Sequence, residues 1–194
     1  MNANELNQLR LELSLKAKHG INFILAASIT WLMIAYAWTL SYSDYDKSVI
    51  TFIIGGLMLP MAWGLSKLLK TAWTIKNNPL QSLGLWLNFA QLFYFPFLIL
   101  MLIKSPQYFV MTYVIITGAH FFPYAWFYNE KSFAIMAGVI SLGALLIGLN
   151  VAAENMFWVP AFMTAALVVL AGLLHLSYKQ KLKSMPQLST SGSL

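Results

Sequence analysis

The chain has 194 residues, of which 59% are hydrophobic and only 9% charged, with a net charge of +6 and no cysteine; its mean hydropathy is +0.68. A water-soluble domain carries roughly a quarter charged residues, so most of this chain's surface has hydrocarbon as its solvent. The absent cysteines exclude disulfides, thiolate metal sites and cysteine nucleophiles. The basic residues, scattered through short polar gaps, exclude a nucleic-acid face.

Residues 1–20 come first. Leu6, Leu9, Leu13 and Ala17 share one helical face, and Glu12 stands four residues before Lys16, which predicts a short amphipathic helix on the cytoplasmic membrane surface. Six apolar stretches follow: Ile21–Leu40, Val49–Leu69, Leu83–Ile103, Tyr108–Tyr128, Ser132–Ala152 and Met156–Leu176. Each has the ~20 residues needed to cross ~30 Å of hydrocarbon as a helix, the form that satisfies its own backbone there. The expected fold is all-α and polytopic: six transmembrane helices as three hairpins in a membrane domain over 21–178, with a disordered cytoplasmic tail over 179–194. Ala35-Tyr36-Ala37 loosely fits a signal cleavage site, but the long leader and the apolar run on to Leu40 favour an uncleaved anchor.

Ten of the twelve cations (Arg10, Lys16, Lys18, Lys67, Lys70, Lys76, Lys131, Lys179, Lys181 and Lys183) fall on one side of these spans, against Lys47 and Lys104 on the other. The richer side is cytoplasmic, which predicts a multi-pass protein of the cell membrane with both termini inside. Trp38, Tyr42, Tyr45, Tyr108 and Trp158 mark the outer boundary, and Trp73, Trp86, Trp126, Tyr128 and Tyr178 the inner one. His19 and His175 read as surface groups at the inner boundary. In span five Ala137, Ser141, Ala144 and Gly148 form a stripe of small residues, answered in span six by Ala161, Ala165 and Gly172; this predicts that the last two helices pack through those stripes. "GGLMLPMAW" (55–63) and "GAHFFPYAW" (118–126) share Gly-x-x-x-x-Pro-x-Ala-Trp, a faint sign of a repeated hairpin.

Span four carries the unusual chemistry. Tyr113, Thr117, His120 and Tyr124 recur at i, i+4, i+7 and i+11, one line on a helix. Span three offers Asn88, Gln91 and Tyr94. If the turn between them centres on Ser105–Pro106, residues at equal depth have numbers that sum to 211, which pairs Gln91 with His120. Pro60, Pro96 and Pro123 interrupt spans two, three and four, and broken helices at membrane depth belong beside a cavity or a partner that satisfies the freed carbonyls. A ligand site of His120, Gln91, Asn88, Tyr94, Tyr113, Thr117, Tyr124 and Trp63 follows as an expectation. Its structural alternative is that the same residues only pack helices, at ~0.6 kcal/mol per interhelical bond. No carboxylate lies inside a span, so the usual carrier of proton or sodium coupling is missing. No set of ligands points to a metal or a cofactor, and an enzyme would rest on His120 alone.

"NPLQSLGLWLNFAQLFYFPFLIL" and "TGAHFFPYAWFY", with Gly-Ala-His-x-x-Pro-Tyr at 118–124, resemble a family of small multi-pass bacterial membrane proteins that carries no assigned function. The resemblance covers most of spans two to five. It implies a bacterial cytoplasmic membrane and brings no functional residue with it. The expected protein is therefore a membrane protein partnered by the lipid bilayer, binding or passing a small neutral solute between helices two and four. The alternative is a structural or regulatory subunit, of open oligomeric state in either case.

Overall fold

An apolar chain must close its own backbone hydrogen bonds, and here it does so in helices alone among the described residues. A computed structural model describes residues 2–184. It contains α1 (Ala3–Lys16), α2 (Ile21–Trp38), α3 (Asp44–Gly56), α4 (Met58–Leu68), α5 (Gln81–Leu92), α6 (Phe95–Lys104), α7 (Phe109–His120), α8 (Phe122–Phe127), α9 (Ser132–Asn150) and α10 (Trp158–Ser184). The first part of the expected tail is thus helical, and the part from 185 onward lies outside the described residues.

Five helical segments are long and apolar enough to cross a membrane: Lys18–Trp38, Asp44–Leu68, Gln81–Lys104, Ser132–Asn150 and Ala153–Lys183. The fourth expected span is present as α7 and α8 but is not among these five. Thr112, Tyr113, Thr117, His120, Pro123 and Tyr124 dilute its apolar character. The packing explains why this is tolerated. α7 lies against α3, α5, α6, α9 and α10 and buries Phe109, Val110, Val114 and Gly118, so much of its surface meets protein.

Proline sets where segments break. α3 gives way to α4 at Leu57, three residues before Pro60; α5 to α6 at Phe93–Tyr94, just before Pro96; and α7 to α8 at Phe121, before Pro123. Each proline lacks the N–H that would reach back one turn, and shorter bonds such as Leu57 N–H to Ile54 O (3.0 Å) and Phe121 N–H to Gly118 O (3.1 Å) tighten the joint instead.

α1 opens with a reciprocal cap: the Asn2 side chain accepts from the Glu5 N–H (2.8 Å) and the Glu5 carboxylate from the Asn2 N–H (2.9 Å). It turns Leu13 into the core, and Glu12 and Lys16 pair at 2.6 Å. Between α1 and α2 the chain reverses through three consecutive left-handed residues, Lys18, His19 and Gly20 (φ 47°, 56° and 70°). Only the glycine takes this shape freely, and each of the other two costs ~1–2 kcal/mol.

The core is built on α2 and α10. Trp31, Ile34 and Trp38 meet Met163, Leu167, Leu170 and Leu174, all nearly or fully buried. α9 packs on α10, as expected of a hairpin, but not through the expected stripes. Gly148 seats Met111 of α7, and Ser141 donates to the Ile115 carbonyl of α7 (3.3 Å), while Ala165 and Gly172 of α10 are exposed. The small residues of α9 admit the central helix rather than its sequence neighbour. α10 is received elsewhere, where Phe162 fills the space beside Gly143.

The segments containing α3–α4 and α5–α6 converge at one end and separate at the other. α3 packs against α6 and α7, and the Ser48 hydroxyl donates to the Pro106 carbonyl (3.3 Å). Past the breaks, α4 packs on α2 and α5 on α7, and α4 and α5 are not packed together. α4 and α5 therefore stand apart at the end of the bundle where α1 lies, with α7 packed against α5.

Candidate functional site

Where α7 meets α2, α3 and α6 the packing is aromatic. Tyr113 is ringed by Trp31 (5.1 Å), Phe109 (6.2 Å), Phe95 (6.3 Å) and Phe52 (6.4 Å), and its hydroxyl lies where a Cβ on Gly55 would sit, 2.9 Å away. Below it on the same α7 face come Thr117 and His120, then Tyr124 on α8. The His120 ring meets Tyr124 edge-on at 5.2 Å, and Tyr124 continues to Phe127, Phe133 and Tyr128 at 5.9–6.1 Å. Of the predicted line of four, His120 and Tyr124 thus meet across the break at Phe121.

The facing segment keeps the predicted register at its α1 end. A Cβ on Gly84 would fall 2.9 Å from Phe127, and these two numbers sum to 211, the value set by the Ser105–Pro106 turn. The hydrogen bond expected one turn further along does not form. Among the described residues neither the Gln91 nor the His120 side chain makes a hydrogen bond, and Thr117 Oγ1 is a buried oxygen without a partner. Asn88 is exposed and turns its amide back to the Gly84 carbonyl (2.9 Å), and Tyr94 is half exposed at 50%. α5 packs on α7, yet no hydrogen bond joins the polar side chains of the two helices. Trp63 points out of the bundle, with Lys67 Nζ 3.4 Å over its ring. Of the eight expected residues, Tyr113, Thr117, His120 and Tyr124 lie on α7 and α8 and are partly buried, as is Gln91 on α5, while Asn88, Tyr94 and Trp63 are exposed. Two open surface hollows lie elsewhere, on α1 beside Glu5, Leu9 and Glu12, and between α2 and α3 beside Leu32, Met33, Tyr36 and Ile54.

A second polar cluster escaped the sequence reading. His19 is fully buried, not a surface group. One ring nitrogen, Nδ1, faces the Leu174 carbonyl (3.2 Å) and the other, Nε2, faces Lys181 Nζ (3.0 Å). Lys181 also donates to Ser14 Oγ (3.0 Å) and the Asn129 carbonyl (2.9 Å), and pairs with Glu130 at 3.7 Å. Glu130 accepts from Ser132 (2.8 Å) and from Ser177. Burial alone would raise the Glu130 carboxyl, but those hydroxyl bonds and the Lys181 ammonium hold it below the usual carboxylate value. The available signal was "KHG" before an apolar run, since a glycine there marks a left-handed joint that turns its neighbour inward.

What the polar side chains of α5 and α7 can do follows from their groups. A neutral imidazole, a carboxamide and a hydroxyl each both donate and accept, and none carries a charge. Among the described residues no three His, Asp or Glu side chains converge to hold a metal ion.

The fold defines an all-helical protein of apolar, membrane-compatible build. The chain belongs to the family of unknown function DUF7010, which it matches over residues 6–177. No curated protein and no solved structure matches it.

Proposed function

We propose that this chain is a multi-pass protein of the cell membrane, with six crossings and both termini cytoplasmic, whose inward-facing cleft binds or passes a small neutral solute. The ten cations set apart by sequence fall in segments that meet at the α1 end, where Lys181 reaches Ser14 and the Ala72 N–H reaches the Lys16 carbonyl (2.9 Å), which supports that end as cytoplasmic. Under this reading α7 and α8 form the fourth crossing, sheathed by its neighbours.

The observation that carries the solute reading is the set of hydrogen-bonding groups on the cleft that the chain itself leaves unused: Thr117, His120 and Gln91. Residues kept as packing would bond one another, because an unpaired polar group in hydrocarbon costs several kcal/mol. Groups left open on both walls at one level suit a partner from outside, neutral and able both to donate and to accept, with an apolar face for Tyr113 and Tyr124.

A second reading, a membrane subunit whose cleft is completed by another chain's helix, is favoured by one observation: only 6% of the most apolar window of Gln81–Lys104 is buried. Acetamide, benzamide and glycerol, titrated against the purified protein in detergent, test the proposal. A solute site predicts that at least one raises the melting temperature by about 2 °C or more, the size of a ~1 kcal/mol gain for a protein of this length, and that His120→Leu abolishes the rise without lowering the starting value. If His120→Leu itself melts earlier and none of the three probes acts, the residues serve packing and the proposal fails.

A further inference from the structure

We infer that α1 is a strap across the cytoplasmic mouth of the cleft, and that the cleft wall becomes open to the cytoplasm when α1 lifts; this rests on the inward-facing cleft proposed above. The mouth is bounded on one side by the chain between α4 and α5 and on the other by the end of α8. α1 is bonded to both. On the loop side, Asn78 donates to the Leu9 carbonyl (2.9 Å) and to the Glu12 carboxylate (2.8 Å), and the Ala72 N–H reaches Lys16 O. On the α8 side, Arg10 donates to the Trp126 carbonyl (2.6 Å) and to Asn129 Oδ1 (3.2 Å), with its guanidinium 4.8 Å over the Trp126 ring. Ser14 donates to the Tyr128 carbonyl (2.9 Å).

Two features make this a closure and not only a resting place on the surface. The bonds end on Trp126, Tyr128 and Asn129, the C-terminal end of the short helix that carries Tyr124, and that helix is separated from α7 by the break at Phe121. A pull on the strap is therefore applied to one wall of the cleft through an existing joint. At its other end α1 joins α2 through the left-handed Lys18-His19-Gly20 turn, with His19 anchored beneath α10. The strap is tethered at a fixed pivot next to the buried Leu13 and Ser14, while residues 3–12 are exposed or half-buried and are held through Arg10 and Asn78 by hydrogen bonds of the kind that open locally at low cost.

The chain has no cysteine, so a single His120→Cys protein in inside-out vesicles reports access from the cytoplasmic side through its labelling rate with a membrane-impermeant maleimide. Adding Arg10→Ala should speed labelling about tenfold or more, since tenfold is the factor expected for losing a single charge-assisted hydrogen bond and Arg10 makes two to the α8 side. Adding Asn78→Ala instead, which severs the other side of the strap, should also speed it. A lipid-facing control, Ile99→Cys, should stay unlabelled throughout. Melting curves verify that each variant is folded, and the second severing variant decides the matter if the first is not. Equal, rapid labelling with and without the severing substitutions overturns the strap and leaves the cleft standing. No labelling of position 120 in any of the three proteins overturns both.

Discussion

At the scale of single residues, two histidines with opposite sequence expectations have exchanged roles. His120, in mid-span, bonds to nothing in the chain. His19, at the span boundary, is buried and held on both ring nitrogens. The consequence for stability is asymmetric. His120→Leu removes no internal bond and should leave the unfolding free energy within about 0.5 kcal/mol of the starting protein. His19→Leu strips a partner from Lys181 and the Leu174 carbonyl and should cost ~2 kcal/mol, read by unfolding in bicelles. Glu130 adds a pH dependence. Its folded carboxyl sits below the ordinary value, so the stability it contributes is present above that ordinary value and is lost as pH falls through the lower, folded one. Glu130→Gln should flatten this acid-side decline in melting temperature between about pH 5 and pH 3, while removing ~3 kcal/mol at neutral pH because Lys181 is left without its carboxylate.

At the scale of elements, what could be read from the sequence and what could not divide along one physical line. Helix existence follows from apolar length, so all six stretches are helical, three of them as broken pairs, and the last runs on past its expected end to Ser184. Helix breaks follow from proline, and each of Pro60, Pro96 and Pro123 produces one. The antiparallel register of α5 and α8 follows from turn position, and Gly84 against Phe127 obeys it. Which face meets which neighbour does not follow, because in an apolar helix every face is compatible with lipid. Ala137, Ser141, Ala144 and Gly148 form a stripe legible as small, but its partner, α7, is fixed only by tertiary packing. The missing Gln91–His120 bond has the same origin: equal depth was computable, whether the two side chains bond was not. The Gly84 contact is testable. Gly84→Leu overfills the space before Phe127 and should cost ~1–3 kcal/mol, and Phe127→Ala in the same protein should recover a large part of it, giving a non-additive cycle.

At the scale of the whole molecule, the account is of a bundle closed at one end and divided at the other. α3, α6 and α7 meet around the aromatic cluster of Trp31, Phe52, Phe95, Phe109 and Tyr113. Past the proline breaks α4 follows α2, and α5 meets α8 only near Gly84. Single cysteines in the cysteine-free chain map the proposed topology: Ser105→Cys and Asn155→Cys should label only from outside the cell, and Thr71→Cys and Lys131→Cys only from within. The central claim is that the hydrogen-bonding groups on the two cleft walls do not hold the helices together. A double-mutant cycle on Gln91→Leu and His120→Leu, measured by reversible unfolding in bicelles, tests it most directly. The account predicts a coupling energy within about 0.3 kcal/mol of zero, since no bond joins the pair; a favourable coupling of ~0.6 kcal/mol or more, the average for a real interhelical hydrogen bond, would contradict it.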